Sequence, residues 1–204
     1  MLRLMLRRVL PAALMLAALL IAAVRLIPVR GDTAPDIRAI LAPPDACAAP
    51  CWQGIQPGET SIDEAVALLA AHPWVAAIAP LPPGVAGTAH QYRLVWSGAQ
   101  PAYIDGGRPG HIYGSDQGIE GVILWTTLRF GDLWMQLGPP DHGDITLNDW
   151  QLVEYSALPI SGLIELHCAR FWEQRVRLEI RAHEPNRAAY DYSPRAARDL
   201  ACAR

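Results

Sequence analysis

The pattern of apolar and polar residues changes character along the chain. Residues 9–24, VLPAALMLAALLIAAV, are apolar on every side and carry no charge. From residue 58, GETSIDEAVALL sets Ile62, Val66 and Leu69 at helical spacing, with Ala65 and Leu68 beside them, which is the stripe of a helix lying on a core. Ser61 with Glu64 three residues on has the form of a capping box, so a helix is predicted to about residue 71, stopped by Pro73. Strands are predicted at 74–79, 90–97 and 120–127, where apolar residues alternate or run together. The Gly-, Tyr- and Asp-rich stretch 98–118 reads as a loop between the last two.

A second helix is predicted at 128–137 and ends in Gly138-Pro139-Pro140, because Gly takes the cap conformation and Pro cannot continue the ladder. Strands return at 151–156, 162–170 and 175–181, and Ser193-Pro194 opens a short helix through Ala201. The order is thus a helix and three strands, then a helix and three strands, with Pro73 and Pro140 about 67 residues apart. These elements predict an α+β fold, with short helices on an antiparallel sheet and repeats at 57–127 and 128–182.

Charge divides the chain. Arg3, Arg7 and Arg8 precede the apolar run, Arg25 and Arg30 follow it, and the first 30 residues hold no acid. That order keeps the N-terminus in the cytoplasm and predicts a membrane anchor over 1–29, with the remainder outside. A cleaved signal peptide is the alternative. It wants small residues before the cut, and neither Ala22-Ala23-Val24 nor Val29-Arg30-Gly31 supplies them well. The first cysteine, Cys47, comes too late for a lipoprotein. Residues 30–50, rich in Pro and Ala, read as a spacer before a domain at 51–204. Residues 31–204 set twelve arginines against twenty acids, a net charge of −8 that disfavours nucleic acid as a partner.

Cys47, Cys51, Cys168 and Cys202 all lie beyond the anchor, as expected for an oxidising compartment and two disulfides. Three pairings are possible; a Cys47–Cys51 loop is preferred, since Cys168 with Cys202 would then tie down the C-terminal tail. No His pair has the helical zinc spacing, and no Gly-x-Ser-x-Gly, Walker or dinucleotide motif is present, so no catalysis, metal or cofactor is predicted. Asp141-His142-Gly143-Asp144 reads as a polar turn. Most of the seven tryptophans stand in apolar patterns and read as core. Trp52 and Trp150, in polar surroundings, and Tyr103, His111 and Tyr113 of the long loop are the candidate surface contacts.

Pro57-Gly58-Glu59-Thr60 through Leu69, and Leu128-Arg129-Phe130-Gly131-Asp132 through Asp141, resemble the SmpA/OmlA-type, or BamE-like, exported domains. In that family a Gly-x-Thr turn opens a helix that closes on Leu-Gly-x-Pro before an antiparallel sheet, and the related β-lactamase-inhibitor-protein fold sets two such units in tandem. The resemblance implies a scaffold or interaction module. The expectation is therefore a membrane-anchored extracytoplasmic domain that holds an envelope protein through an exposed sheet face or the 98–118 loop. An envelope glycan-binding module and an unrecognised hydrolase are the alternatives.

Overall fold

The structure, a computed structural model, describes residues 15–16, 37, 47, 50–82, 89–145, 150–182 and 190–203. The expected anchor lies outside the described residues except for Met15 and Leu16, which are helical and exposed. Among the described residues no helix is long and apolar enough to cross a membrane.

Helix α1 (Ile62–Ala70) starts where its cap is written: Ser61 is extended and its Oγ accepts the Glu64 N–H at 3.3 Å. Ala65 and Leu69, one turn apart, are buried, whereas Leu68, expected on the same stripe, is exposed. Four strands follow: β1 (Val75–Pro80), β2 (His90–Trp96), β3 (Gly110–Ser115) and β4 (Gly118–Arg129). Helix α2 (Phe130–Leu137) continues directly from β4, its first turn fastened by the Arg129 N–H to Asp132 Oδ2 at 3.0 Å. It ends at Gly138, whose φ of 85° suits only glycine without strain. Then come β5 (His142–Ile145), β6 (Trp150–Tyr155), β7 (Ile160–Glu165), a 3-10 segment (Cys168–Glu173), β8 (Arg175–Arg181), β9 (Tyr190–Asp191) and helix α3 (Pro194–Cys202).

The nine strands form one antiparallel sheet in the order β1-β2-β3-β4-β8-β7-β6-β5-β9. A helix followed by four strands therefore occurs twice, and the last strands of the two sets, β4 and β8, pair at the centre. The α+β class agrees with the sequence reading; the strand number differs, each helix being followed by four strands in place of three. Besides the two-residue β9, the missing strands are β3, inside the stretch read as a loop, and β5, read as a polar turn. Both are glycine-rich because neighbours occupy the space of a Cβ: one at Gly110 would lie 2.6 Å from the Trp96 ring, and one at Gly143 2.2 Å from the Tyr192 ring. The strand expected at 162–170 ends at Glu165 and gives way to the 3-10 segment.

One face of the sheet carries the core. Leu94 and Trp96, Ile112, Val122 and Leu124, Val176, Leu178 and Ile180, Ile164, and Val153 are buried on it, and Ala65, Leu69, Phe130, Leu133 and Ala197 of the helices join the same cluster. Ile37 is also fully buried there, and its N–H donates to Gln136 Oε1 on α2 at 2.8 Å. The compact unit accordingly runs Pro35–Arg204, so 30–50 is not spacer throughout: the chain is already fixed to the domain at Ile37.

Cysteine pairing is Cys47–Cys51 and Cys168–Cys202, the preferred arrangement. The second bridge ties α3 to the 3-10 segment across 34 residues. Replacing both of its cysteines by serine is expected to cost about 4 kcal/mol by loop-closure entropy, against about 2 kcal/mol for the short loop. Urea midpoints of the two double-serine variants, compared with the oxidised parent, check the order.

Candidate functional site

The strand alternation that buries the core turns a second set of side chains to the opposite face. On β8 the sequence Arg175-Val-Arg177-Leu-Glu179-Ile-Arg181 alternates without a break, the three aliphatics buried and the four charged residues at least partly exposed. Ile123 and Trp125 of β4, Leu152 of β6 and Leu163 of β7 share that charged face and stand outside the core cluster. The buried residues of the three α-helices, Ala65, Leu69, Phe130, Leu133 and Ala197, all belong to the core on the other side.

Register aligns one row through all nine strands of this face: Ala79, Arg93, His111, Ile123, Glu179, Ser161, Glu154, His142 and Asp191. Long polar side chains bridge across strands beside it. The Tyr113 hydroxyl on β3 donates to Glu179 on β8, and the intervening β4 residue is Gly121, where a Cβ would meet the Tyr113 ring at 2.6 Å. On the other side of centre, Arg181 Nη2 of β8 donates to Glu154 Oε1 of β6 at 2.7 Å, with β7 between them. That ion pair is buried, at 12% and 7% side-chain exposure. Ser161, the β7 residue beside Glu154, is only 1% exposed and so is covered by its longer neighbours.

Towards one end of the face lies a depression of about 280 Å³. Trp125 and Trp150 meet edge to face at 6.3 Å within its lining. Arg108 lies over the Trp125 ring at 4.3 Å, and Arg177 is 5.7 Å from it. Arg175 pairs with Asp105 at 3.1 Å, Glu165 of β7 adds a carboxylate, and Arg170 and Glu173 of the 3-10 segment complete a balanced set of charges. Burial lowers the Arg177 pKa, with Glu179 and then Tyr113 pulling the other way. His111 is lowered by burial first, then by Arg177 and Arg93, which favours its neutral form. Among the described residues no group of three or more His, Cys, Asp or Glu could hold a metal ion.

Of the five residues singled out in the sequence, His111, Tyr113 and Trp150 belong to the uncovered face, although Tyr113 is itself 7% exposed beneath its neighbours. Trp52 and Tyr103 do not; they are core residues, at 1% and 9% exposure. Gln53 and Gly54, both at positive φ, form a tight turn that pairs Trp52 with Ile55 and sends both inward. The polar neighbours of Trp52 are thus the turn itself and say nothing of its exposure. Tyr103 enters the core because residues 103–105 pair alongside β4, with Thr127 N–H donating to Tyr103 O and Asp105 N–H to Trp125 O. Sequence reasoning passed over Trp125, Arg177, Glu179, Arg181 and Glu154; the unbroken alternation of β8 was the available signal.

Comparison with protein-family profiles, curated proteins and solved structures gives no match to this chain. The face must therefore be read from its own chemistry. Removing one partner of the Arg181–Glu154 pair should be costly, since it leaves a desolvated charge. Glu154→Ala is expected to destabilise the fold by about 3–5 kcal/mol, while Glu154→Leu with Arg181→Met recovers most of the loss. Denaturant titration of the single and double variants measures both.

Proposed function

We propose that this protein is a membrane-anchored extracytoplasmic interaction domain that holds an envelope protein on the uncovered face of its sheet. The observation that carries the reading is the face itself, a surface across nine strands that sets Trp125 and Arg177 together on the central strands β4 and β8. Tryptophan, tyrosine and arginine are the side chains that supply most of the energy at protein interfaces. Charges of both signs, locked to one another across strands, favour selection of one complementary partner over general stickiness. The two disulfides suit an oxidising compartment, and the Arg-flanked apolar N-terminus suits an uncleaved anchor delivering the domain there. The SmpA/OmlA-type kinship, with its scaffold role, belongs to the same proposal.

The depression at Trp125 and Trp150 favours a second reading, an envelope glycan. Indole rings contact sugar faces, and balanced carboxylates and guanidinium groups bond hydroxyls. The two readings separate in one experiment. A photo-crosslinking residue at Leu163 or Val95, in the full chain in native membranes, is expected to trap one reproducible protein, and Trp125→Ala to weaken that capture about thirtyfold, or ~2 kcal/mol. Capture of no protein from either position contradicts the leading reading; retention on envelope polysaccharide, lost in Trp125→Ala, establishes the second.

A further inference from the structure

The helical side of the domain holds another unassigned surface. Four aromatic rings gather there around Phe130: Trp172 stacks on it at 5.2 Å with the planes 13° apart, and Trp134, Phe171 and Tyr192 meet it edge-on at 5.6–6.2 Å. Most of this cluster is enclosed, but Trp172 breaks the surface at 38% exposure. Met135, 82% exposed, lies on α2 one turn along from Gly131, whose Cβ position is 3.1 Å from the Trp172 carbonyl oxygen. Leu200, at 36% exposure, lies on α3, which Cys168–Cys202 ties to the same 3-10 segment. Large exposed apolar side chains grouped on neighbouring elements mark a surface that meets something other than water.

The chain itself indicates what that is. Ile37 is fixed on α2 by complete burial and by its bond to Gln136, the residue after Met135. If the anchor ends at Val29, seven residues lie between it and Ile37, a reach of at most about 28 Å over the eight steps however the chain runs. The tether therefore enters the domain at the helix that carries the exposed methionine. Arg195 and Arg198 are exposed on α3, against the exposed acid Asp199, while Arg170 and Glu173 of the 3-10 segment turn to the depression. Tryptophan at an apolar surface fringed by arginine is the composition that settles at the headgroup level of a bilayer.

We infer that the surface formed by α2, the 3-10 segment and α3 rests on the lipid bilayer, with Met135 and Trp172 at the interface. The uncovered sheet face, on the other side of the helix layer, is then presented away from the membrane. This inference rests on the anchor reading, and its test keeps the two apart.

All four cysteines are in disulfides, so Met135→Cys and, on the uncovered face, Val95→Cys each offer one thiol to an environment-sensitive dye. The labelled full chains are reconstituted in phosphatidylcholine vesicles containing nitroxide-labelled lipid. Quenching at 135 roughly twofold or more above that at 95 is the expected result, because only an interfacial dye meets the acyl nitroxide. Equal quenching at the two positions, in a chain that resists alkaline extraction, overturns the inference and leaves the anchor intact. Oxidative crosslinking of unlabelled 135 to 135 without lipid quenching also overturns it, in favour of a second copy. Release of the chain by alkaline extraction overturns the anchor reading and the inference together.

Discussion

The antiparallel pairing of β4 with β8 is the interaction on which the rest of the molecule depends. It joins strands 54 residues apart at Leu124 and Leu178, and it is the seam along which the two helix-plus-four-strand sets become one sheet. Its register decides both faces at once. On the helical side it lays Val122 against Ile180 and Leu124 against Leu178; on the other it lays Ile123 against Glu179 and Trp125 against Arg177. A slip of one residue would exchange the two sets, burying arginine and exposing leucine, so the alternation written in β8 selects this pairing. The core and the candidate site are two consequences of one ladder.

The uncovered face is ordered by a different means. Side chains there reach over strands, from Tyr113 to Glu179 and from Arg181 to Glu154, and the residues beneath them are small. Such bridges add modest stability beyond the core, because two charges taken out of water give back much of their attraction. What they do supply is fixed geometry. Groups on the proposed binding surface are then already restrained, so less ordering would be required at binding. The surface sets charges of both signs beside tryptophan, and the interaction reading draws its support from that chemistry.

Much of the fold could be read from local chemistry. The Ser61 cap, the Gly138 stop and the strand alternation of β8 were legible because each is decided by residues close in sequence, and the Cys168–Cys202 bridge because four cysteines allow only three pairings. Strands β3 and β5 were not, because Gly110, Gly114 and Gly143 mimic loop composition while serving a packing need that only the folded neighbours reveal. The same limit hid the candidate site. Trp52 and Trp150 both have polar neighbours, yet a two-residue turn turns the first inward and a β6 position at the sheet's uncovered face leaves the second half-exposed. Ile37 stands with Ile40 and Leu41 at helical spacing, but inside a Pro- and Ala-rich stretch that reads as a spacer, so its place in the core was found only in three dimensions.

If one register governs both faces, the domain should unfold as a unit, with its centre the last part to open. Native-state hydrogen exchange tests this most directly. The account predicts that ladder amides of β4 and β8 exchange only through global unfolding, with free energies equal to that from denaturant titration, and that protection falls toward β1 and β9. Exchange of β8 through a partial opening that leaves β1–β4 protected would contradict it, since the two strand sets would then be independent and the central pairing a mere contact between them.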